Sequence, residues 1–227
     1  ISELIDEIFS LKNNFHILVV DDNSNDKTYE AVEKKIIENK QRLFLIKREK
    51  KSGLGSAYIA AFNWVLNNSK KYSGIFTMDA DFSHNPKDLL RLKVFLDKNG
   101  MDLVIGSRYI TGVNVVNWPI QRVLLSYFGS MYARLITGLP IMDLTSGFVG
   151  YNTKVIKDIL NMGVEFNGYA FQIEMKYKAY LLGYKYYEIP IIFTERTKGH
   201  SKMNFSIVPE AIFGLIKMKF KYLFSKI

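Results

Sequence analysis

Apolar positions recur along the chain at two spacings. Ile1, Leu4, Ile5, Ile8 and Phe9 share one face of a helix, and the run Phe15-His16-Ile17-Leu18-Val19-Val20 has the length and β-branched content of a buried strand. The helical spacing returns from Thr28 to Asn39, and Leu43 to Ile46 predicts a second strand. Gly53-Leu54-Gly55 opens a helix to about Leu66, and Ile75-Phe76-Thr77-Met78 predicts a third strand. Pro86 suits the first position of the next helix, and Leu103-Val104-Ile105 predicts a fourth strand. Strands alternating with helices in this way predict an α/β fold with a mostly parallel sheet covered by helices on both faces.

The second half reads differently. Trp118-Pro119 marks a turn before a helical stretch from Arg122 to Ile136, and Gly147 to Tyr151 predicts a strand. Glu174 to Leu182 predicts a helix, and Tyr184 to Phe193 a strand with Pro190 near its end. Gly199 to Asn204 is a polar loop, after which the chain is apolar with interspersed lysines. No linker or repeat divides it, so residues 1–206 are expected to form one catalytic domain. Residues 207–227 are expected to be a basic amphipathic segment, suited to a membrane interface or to packing on the domain.

Composition narrows the classes. The chain has 227 residues, 48% of them hydrophobic, enough for a sizeable core and against general disorder. Cysteine is absent, which excludes disulfides and thiolate metal sites. No stretch reaches the ~18 uninterrupted apolar residues of a membrane span. The net charge of +9 favours anionic partners. It is scattered, its densest cluster being Lys47, Arg48, Lys50 and Lys51, which also reads as a solvated loop. No helix-turn-helix, zinc or RNA-recognition signature accompanies the charge, so nucleic acid is not an expected partner.

The candidate chemistry lies after strands, where open α/β sheets bind ligands. Asp79-Ala80-Asp81 follows a strand, and side chains two apart on an extended segment point the same way. Two such carboxylates can hold a magnesium or manganese ion that bridges to a diphosphate, although a plain polar loop has the same composition. Asp21-Asp22 also follows a strand and can meet a base or ribose, or cap the next helix. Gly53-Leu54-Gly55 resembles half a phosphate loop but lacks the Gly-Lys-Ser/Thr ending, so a helix start packed close to the sheet is expected. Arg108, Arg122, Arg196 and Lys202 are dispersed cations whose loop contexts suit phosphate. His16, His84 and His200 show no metal spacing, and none reads as catalytic.

Taken in order, these motifs resemble one family. Val19-Val20-Asp21-Asp22-Asn23-Ser24, Gly53-Leu54-Gly55-Ser56-Ala57-Tyr58 and Asp79-Ala80-Asp81-Phe82-Ser83-His84-Asn85-Pro86 come first. Gly106-Ser107-Arg108-Tyr109, Asn117-Trp118-Pro119 with Arg122 and Ser126, and Asp143-Leu144-Thr145-Ser146-Gly147-Phe148 follow. Gly168 to Met175, then Arg196 with Gly199, Ser201, Lys202 and Met203, complete the set. It is similar to the dolichol-phosphate mannosyltransferases, inverting family 2 glycosyltransferases of GT-A fold, from about Phe15 to Met203.

The resemblance implies mannose transfer from GDP-mannose to dolichyl phosphate at the cytosolic face of the endoplasmic reticulum membrane, feeding glycosylation and GPI-anchor synthesis. It implies that Val20 and Asp22 meet the guanosine, and that Asp79, Ala80 and Asp81 meet the ribose–diphosphate and its divalent metal. Ser83 stands where some relatives carry a glutamine metal ligand. Arg108, Arg122 and Ser126 would grip the acceptor phosphate, while Arg196 and Lys202 would belong to a loop closing over the diphosphate. A membrane surface, and a small membrane-anchoring subunit, are the further partners implied. The family's leading strand and its Pro-x-Tyr-Asn-Glu motif have no counterpart, so the sheet is expected to be one strand short, with a nucleotide pocket lacking part of its wall.

An acceptor phosphate is already anionic at neutral pH and needs no strong general base. The expected difficulty is the approach of one anion to another, which arginines and a metal relieve during in-line, inverting attack. The alternatives are a dolichyl-phosphate glucosyltransferase using UDP-glucose and a catalytically silent nucleotide-binding subunit.

Overall fold

A computed structural model describes residues 1–68, 72–168, 170–195 and 207–223. Helix α1 (Ser2–Ser10) leads into β1 (Ile17–Asp21), α2 (Thr28–Glu38) and β2 (Leu43–Lys47), with β1 and β2 paired in parallel and Val20 opposite Ile46. Then come α3 (Leu54–Asn67), β3 (Gly74–Thr77), α4 (Asp88–Asp97) and β4 (Leu103–Ser107). The short β5 (Val115–Val116) precedes α5 (Ile120–Thr137), β6 (Val149–Asn152), α6 (Thr153–Asn161), α7 (Ala170–Leu181), β7 (Tyr186–Pro190), β8 (Phe193–Thr194) and α8 (Ile207–Leu223).

The central sheet has the order β3-β6-β4-β7. It is mixed, because β6 runs antiparallel between β3 and β4 while β4 and β7 are parallel. A small parallel pair, β5 with β8, stands apart. The pleat of β4 sorts the core onto two faces: Leu103 and Ile105 join Phe62, Ile156, Phe171 and Met175, whereas Val104 joins Leu4, Ile8, Leu89 and Leu92. Helices α3, α6 and α7 thus cover one face and α1 and α4 the other, the layering that the strand–helix alternation predicts.

Several boundaries move for local reasons. Helix α4 begins at Asp88 rather than Pro86, because Asn85 spends its side chain on the Lys87 amide and its carbonyl on the Asp88 amide. Pro86 therefore sits in the preceding turn. The extended run near Pro190 splits into β7 and β8, since proline has no N–H to extend a ladder. Helix α6 went unread, although Val155, Ile156 and Ile159 have helical spacing and are buried. Helix α8 packs on α5 and α7 with Leu215 and Met218 buried, so its inner face completes the domain core. The boundary expected at 206/207 adjoins residues outside those described.

Strands β1 and β3 do not pair with each other. Between them lies a cavity of about 540 Å³, lined by residues 14–20 on one side and 72–80 on the other. Ile1, the residue before α1, Leu4 and Ile8 of α1, and Leu54, Ala57 and Tyr58 of α3 also face it. The separation leaves the sheet open between these two strands.

Candidate active site

The cavity brings Val20, at the end of β1, together with Asp79 and Ala80, just beyond β3. Asp22, one residue past β1, forms an ion pair with Arg48 Nε at 2.8 Å, and Arg48 Nη2 donates to Ser56 Oγ at 2.9 Å. This pair ties the ends of β1 and β2 to the start of α3 and fixes the Asp22 carboxylate. The glycines before α3 do what close packing demands rather than cradle an anion. A side chain at Gly55 would lie 2.4 Å from the Phe166 carbonyl oxygen, so the helix start abuts the segment before α7, not the sheet. Gly53 has φ +98, which favours glycine on its own account.

After β3 the chain turns sharply. Phe82 has φ 62, an uncommon conformation for a bulky residue, between Asp81 and Ser83. Two side chains hold that turn: Asp81 Oδ1 accepts the Ser83 amide at 3.1 Å, and His84 Nδ1 accepts the Asp79 amide at 3.3 Å. His84 is stacked on Phe148 and edge-on to Phe193, and burial holds it below its ordinary pKa. It is thus a neutral acceptor, a positioning role that metal spacing alone does not reveal.

Asp79, Asp81 and Ser83 offer oxygen ligands only, as a hard divalent cation requires. Ser83 Oγ is buried and has no partner among the described residues, which leaves it available to such an ion or its water. No cluster of three or more acidic or histidine ligands occurs among the described residues. The set therefore suits an ion that keeps oxygen ligands from a bound diphosphate and water.

Arg108, beyond β4, is buried against Asp143. Its Nε and Nη2 each lie 2.7 Å from the carboxylate, its amide donates at 3.0 Å, and Nη2 also reaches Thr145 Oγ1 at 2.8 Å. Burial alone would raise the Asp143 carboxyl, but the charge and hydrogen bonds of Arg108 outweigh it and hold the group below the usual carboxylate range. Behind it, Glu188 on β7 accepts the amides of Met142 and Asp143, and Lys176 on α7 donates to the carbonyls of Leu144, Ser146 and Gln172. Burial pulls Lys176 down to about 7. The loop from Asp143 to Gly147 is thereby fixed through its backbone, and a side chain at Gly147 would lie 3.9 Å from Asp79 Oδ1.

The structure gathers the expected acceptor residues around Trp118. The Arg122 guanidinium lies 4.0 Å and the Arg108 guanidinium 5.5 Å from its ring. Tyr109, whose ring centroid lies 5.1 Å from the Arg108 guanidinium, donates to Ser126 Oγ at 2.7 Å. Arg122 forms an ion pair with Glu195. Arg196 and Lys202 lie outside the described residues. Sequence reasoning did not single out His84, Lys176, Glu188 or Glu195, and it quoted Asp143 and Trp118 only within motifs.

A family model for glycosyl transferase family 2 matches residues 1–160, and the chain belongs to that family. Within it, the chain groups with the polyprenyl-phosphate mannosyltransferases. Polyprenol monophosphomannose synthase of Mycolicibacterium smegmatis is 42% identical over 198 residues, spanning 87% of this chain and 74% of that protein. Undecaprenyl-phosphate mannosyltransferase of Micrococcus luteus is 39% identical, spanning 88% and 81%. Dolichol-phosphate mannosyltransferase of Pyrococcus furiosus is 36% identical, spanning 89% and 56%. Among solved structures, glucosyl-3-phosphoglycerate synthase of Mycobacterium tuberculosis, crystallised with Mn2+, UDP and phosphoglyceric acid, superposes with TM-score 0.60. It covers 90% of this chain and 67% of its own at 15% identity, a likeness of fold alone.

Proposed function

We propose that the chain transfers mannose from GDP-mannose to the phosphate of a polyprenyl phosphate, dolichyl phosphate above all, with inversion at the anomeric carbon. The names of the three relatives support the sugar and the acceptor class. GDP as the carrier, dolichol as the lipid and the cytosolic face of the endoplasmic reticulum as the place rest on the motif resemblance.

One observation of the structure carries the reading. Helix α5 is built inside out: Ser126, Ser130, Ala133 and Thr137 face the core, while Ile120, Leu124, Phe128, Met131 and Leu135 face outward. Leu135 is 80% and Ile120 68% exposed, where a helix of a water-facing domain places polar side chains. The same helix carries Arg122 and Ser126 toward the site. A lipid chain against the outer face and its phosphate against the inner one fit a single element. No helix among the described residues is long and apolar enough to cross a membrane. We propose attachment through the exposed face of α5, with a small membrane-anchoring subunit or a membrane segment beyond Ile227 as the alternatives.

In the mechanism, Val20 and Asp22 receive the nucleoside, and the turn from Asp79 to Ser83 receives its diphosphate. A magnesium or manganese ion held by Asp79 and Asp81, with Ser83, would neutralise the leaving diphosphate. Arg122 and Ser126 hold the acceptor phosphate. Arg108 supplies fixed positive charge beside them, and because Asp143 takes Nε and Nη2, a phosphate would be met from Nη1. Arg196 and Lys202 are proposed to close over the diphosphate. The acceptor oxygen attacks the anomeric carbon in line, and no proton need be removed from it.

Incubation with radiolabelled GDP-mannose and a polyprenyl phosphate should carry label into the organic phase; label confined to the aqueous phase would defeat the reading. Membrane attachment has a separate test. Changing Leu124, Phe128 and Leu135 together to aspartate should cut co-flotation with phospholipid vesicles by more than about 100-fold. Unchanged flotation would remove α5 from that role.

A further inference from the structure

Arg122 is only partly served. One terminal nitrogen, Nη1, is paired with Glu195, whereas Nε is buried and has no partner among the described residues. The indole it stacks upon is in the same state: Trp118 Nε1 is buried without a partner among the described residues. A buried donor left unmade is costly, so two of them on side chains stacked against each other mark a place where an acceptor group belongs. Glu195 brings a carboxylate to this place, with two oxygens and one negative charge. A phosphate monoester brings three terminal oxygens and up to two charges, enough for Nη1, Nε and the indole N–H together.

We propose that Glu195 is a stand-in for the acceptor phosphate: its carboxylate holds Arg122 until a phosphate monoester displaces it and takes Arg122 together with the Trp118 indole N–H. The inference rests on the reading of the acceptor as a lipid phosphate. The Glu195 amide donates to the Val116 carbonyl at 3.0 Å, and the Thr194 amide to the Ser83 carbonyl at 3.1 Å, so the main chain is pinned on the N-terminal side of the swing. The second of these bonds ends on the turn that carries Asp81. The displaced carboxylate thus leaves from a point between the acceptor arginine and the proposed diphosphate turn, immediately before Arg196 in the chain. A competing carboxylate also makes the site selective, since a weakly held monoanion cannot dislodge it as a phosphate dianion can.

The test is direct titration of the full chain with farnesyl monophosphate, a water-soluble isoprenyl phosphate, without donor, followed by calorimetry. Glu195→Gln keeps the shape and removes the charge; Glu195→Ala removes the competitor altogether. Both should bind farnesyl phosphate at least ~5-fold more tightly than the native chain, because the cost of displacing the competitor is gone. Arg122→Ala should bind at least ~10-fold more weakly. If both Glu195 variants bind equally or less tightly, Glu195 serves to orient Arg122 and the inference is overturned, while lipid-phosphate binding stands. If neither the native chain nor the Glu195 variants bind farnesyl phosphate, the acceptor reading itself falls and takes the inference with it.

Discussion

Replacing Asp81 by alanine should reduce mannosyl transfer by about 1,000-fold or more while the protein stays folded. The carboxylate lies on the turn after β3, accepts the Ser83 amide, and is one of the two proposed to hold the cation. Its loss removes half of the charged ligand set for a cation and one hydrogen bond that shapes the turn. The turn bond is worth roughly 1 kcal/mol, so the thermal midpoint should fall by no more than a few degrees. Transfer rates at saturating donor, with and without added manganese, check the first part, and a thermal scan checks the second. Near-normal turnover in the variant would take the metal away from this turn.

Asp143→Ala should act in the opposite sense, on the fold before the chemistry. It would strand the buried Arg108 guanidinium, and removal of one partner of a buried pair costs about 3–5 kcal/mol. For a domain of this size that corresponds to a drop in thermal midpoint of roughly 10 °C or more. The pH dependence fixes the sign. The Asp143 carboxyl is held below its ordinary 3.8 in the folded state, so the pair stabilises fully at neutral pH and loses its contribution only as pH falls through that depressed value. The difference between native chain and variant should narrow below about pH 4, and above that it should widen as pH falls through about 7, because Asp143 raises the pKa of the buried Lys176 and its loss makes protonating that lysine costlier. Chemical denaturation at several pH values reads it. A variant as stable as the native chain at pH 7 would show that Arg108 is held by other means.

How much of this the sequence disclosed depends on the kind of information. Helices and strands with strong periodicity were legible, because burial imposes a spacing: Ile1 to Phe9 and Leu103 to Ile105 were read within a residue or two. The resemblance implied a sheet one strand short but not that β1 and β3 would stand apart. Strand direction was not, since Val149 to Asn152 carries the same apolar pattern whether it runs parallel or antiparallel. The site divides in the same way. Asp79, Asp81, Arg108, Arg122 and Ser126 sit in local motifs and could be named. Glu188 holds the 142–143 amides from about 45 positions away, and Glu195 reaches Arg122 across 73, separations that no local pattern encodes. Lys176 was hidden for another reason. A lysine on a helix normally reads as a solvated surface position, and only the fold shows it enclosed with three carbonyls around its ammonium group. The orientation of α5 was half legible. The stretch from Arg122 to Ile136 reads as a helix, but which face its apolar residues occupy is settled only by the packing of α8 against its inner side.

The central claim is the transfer of mannose to a polyprenyl phosphate, and the most direct measurement sets two donors side by side. Radiolabelled GDP-mannose and UDP-glucose would be offered with dolichyl phosphate and, separately, undecaprenyl phosphate, and the lipid product examined for the configuration of its anomeric carbon. The account predicts label in the lipid from GDP-mannose, as the β-linked sugar phosphate, with little from UDP-glucose. Lipid labelled from UDP-glucose and not from GDP-mannose, or an α-linked product, would contradict it.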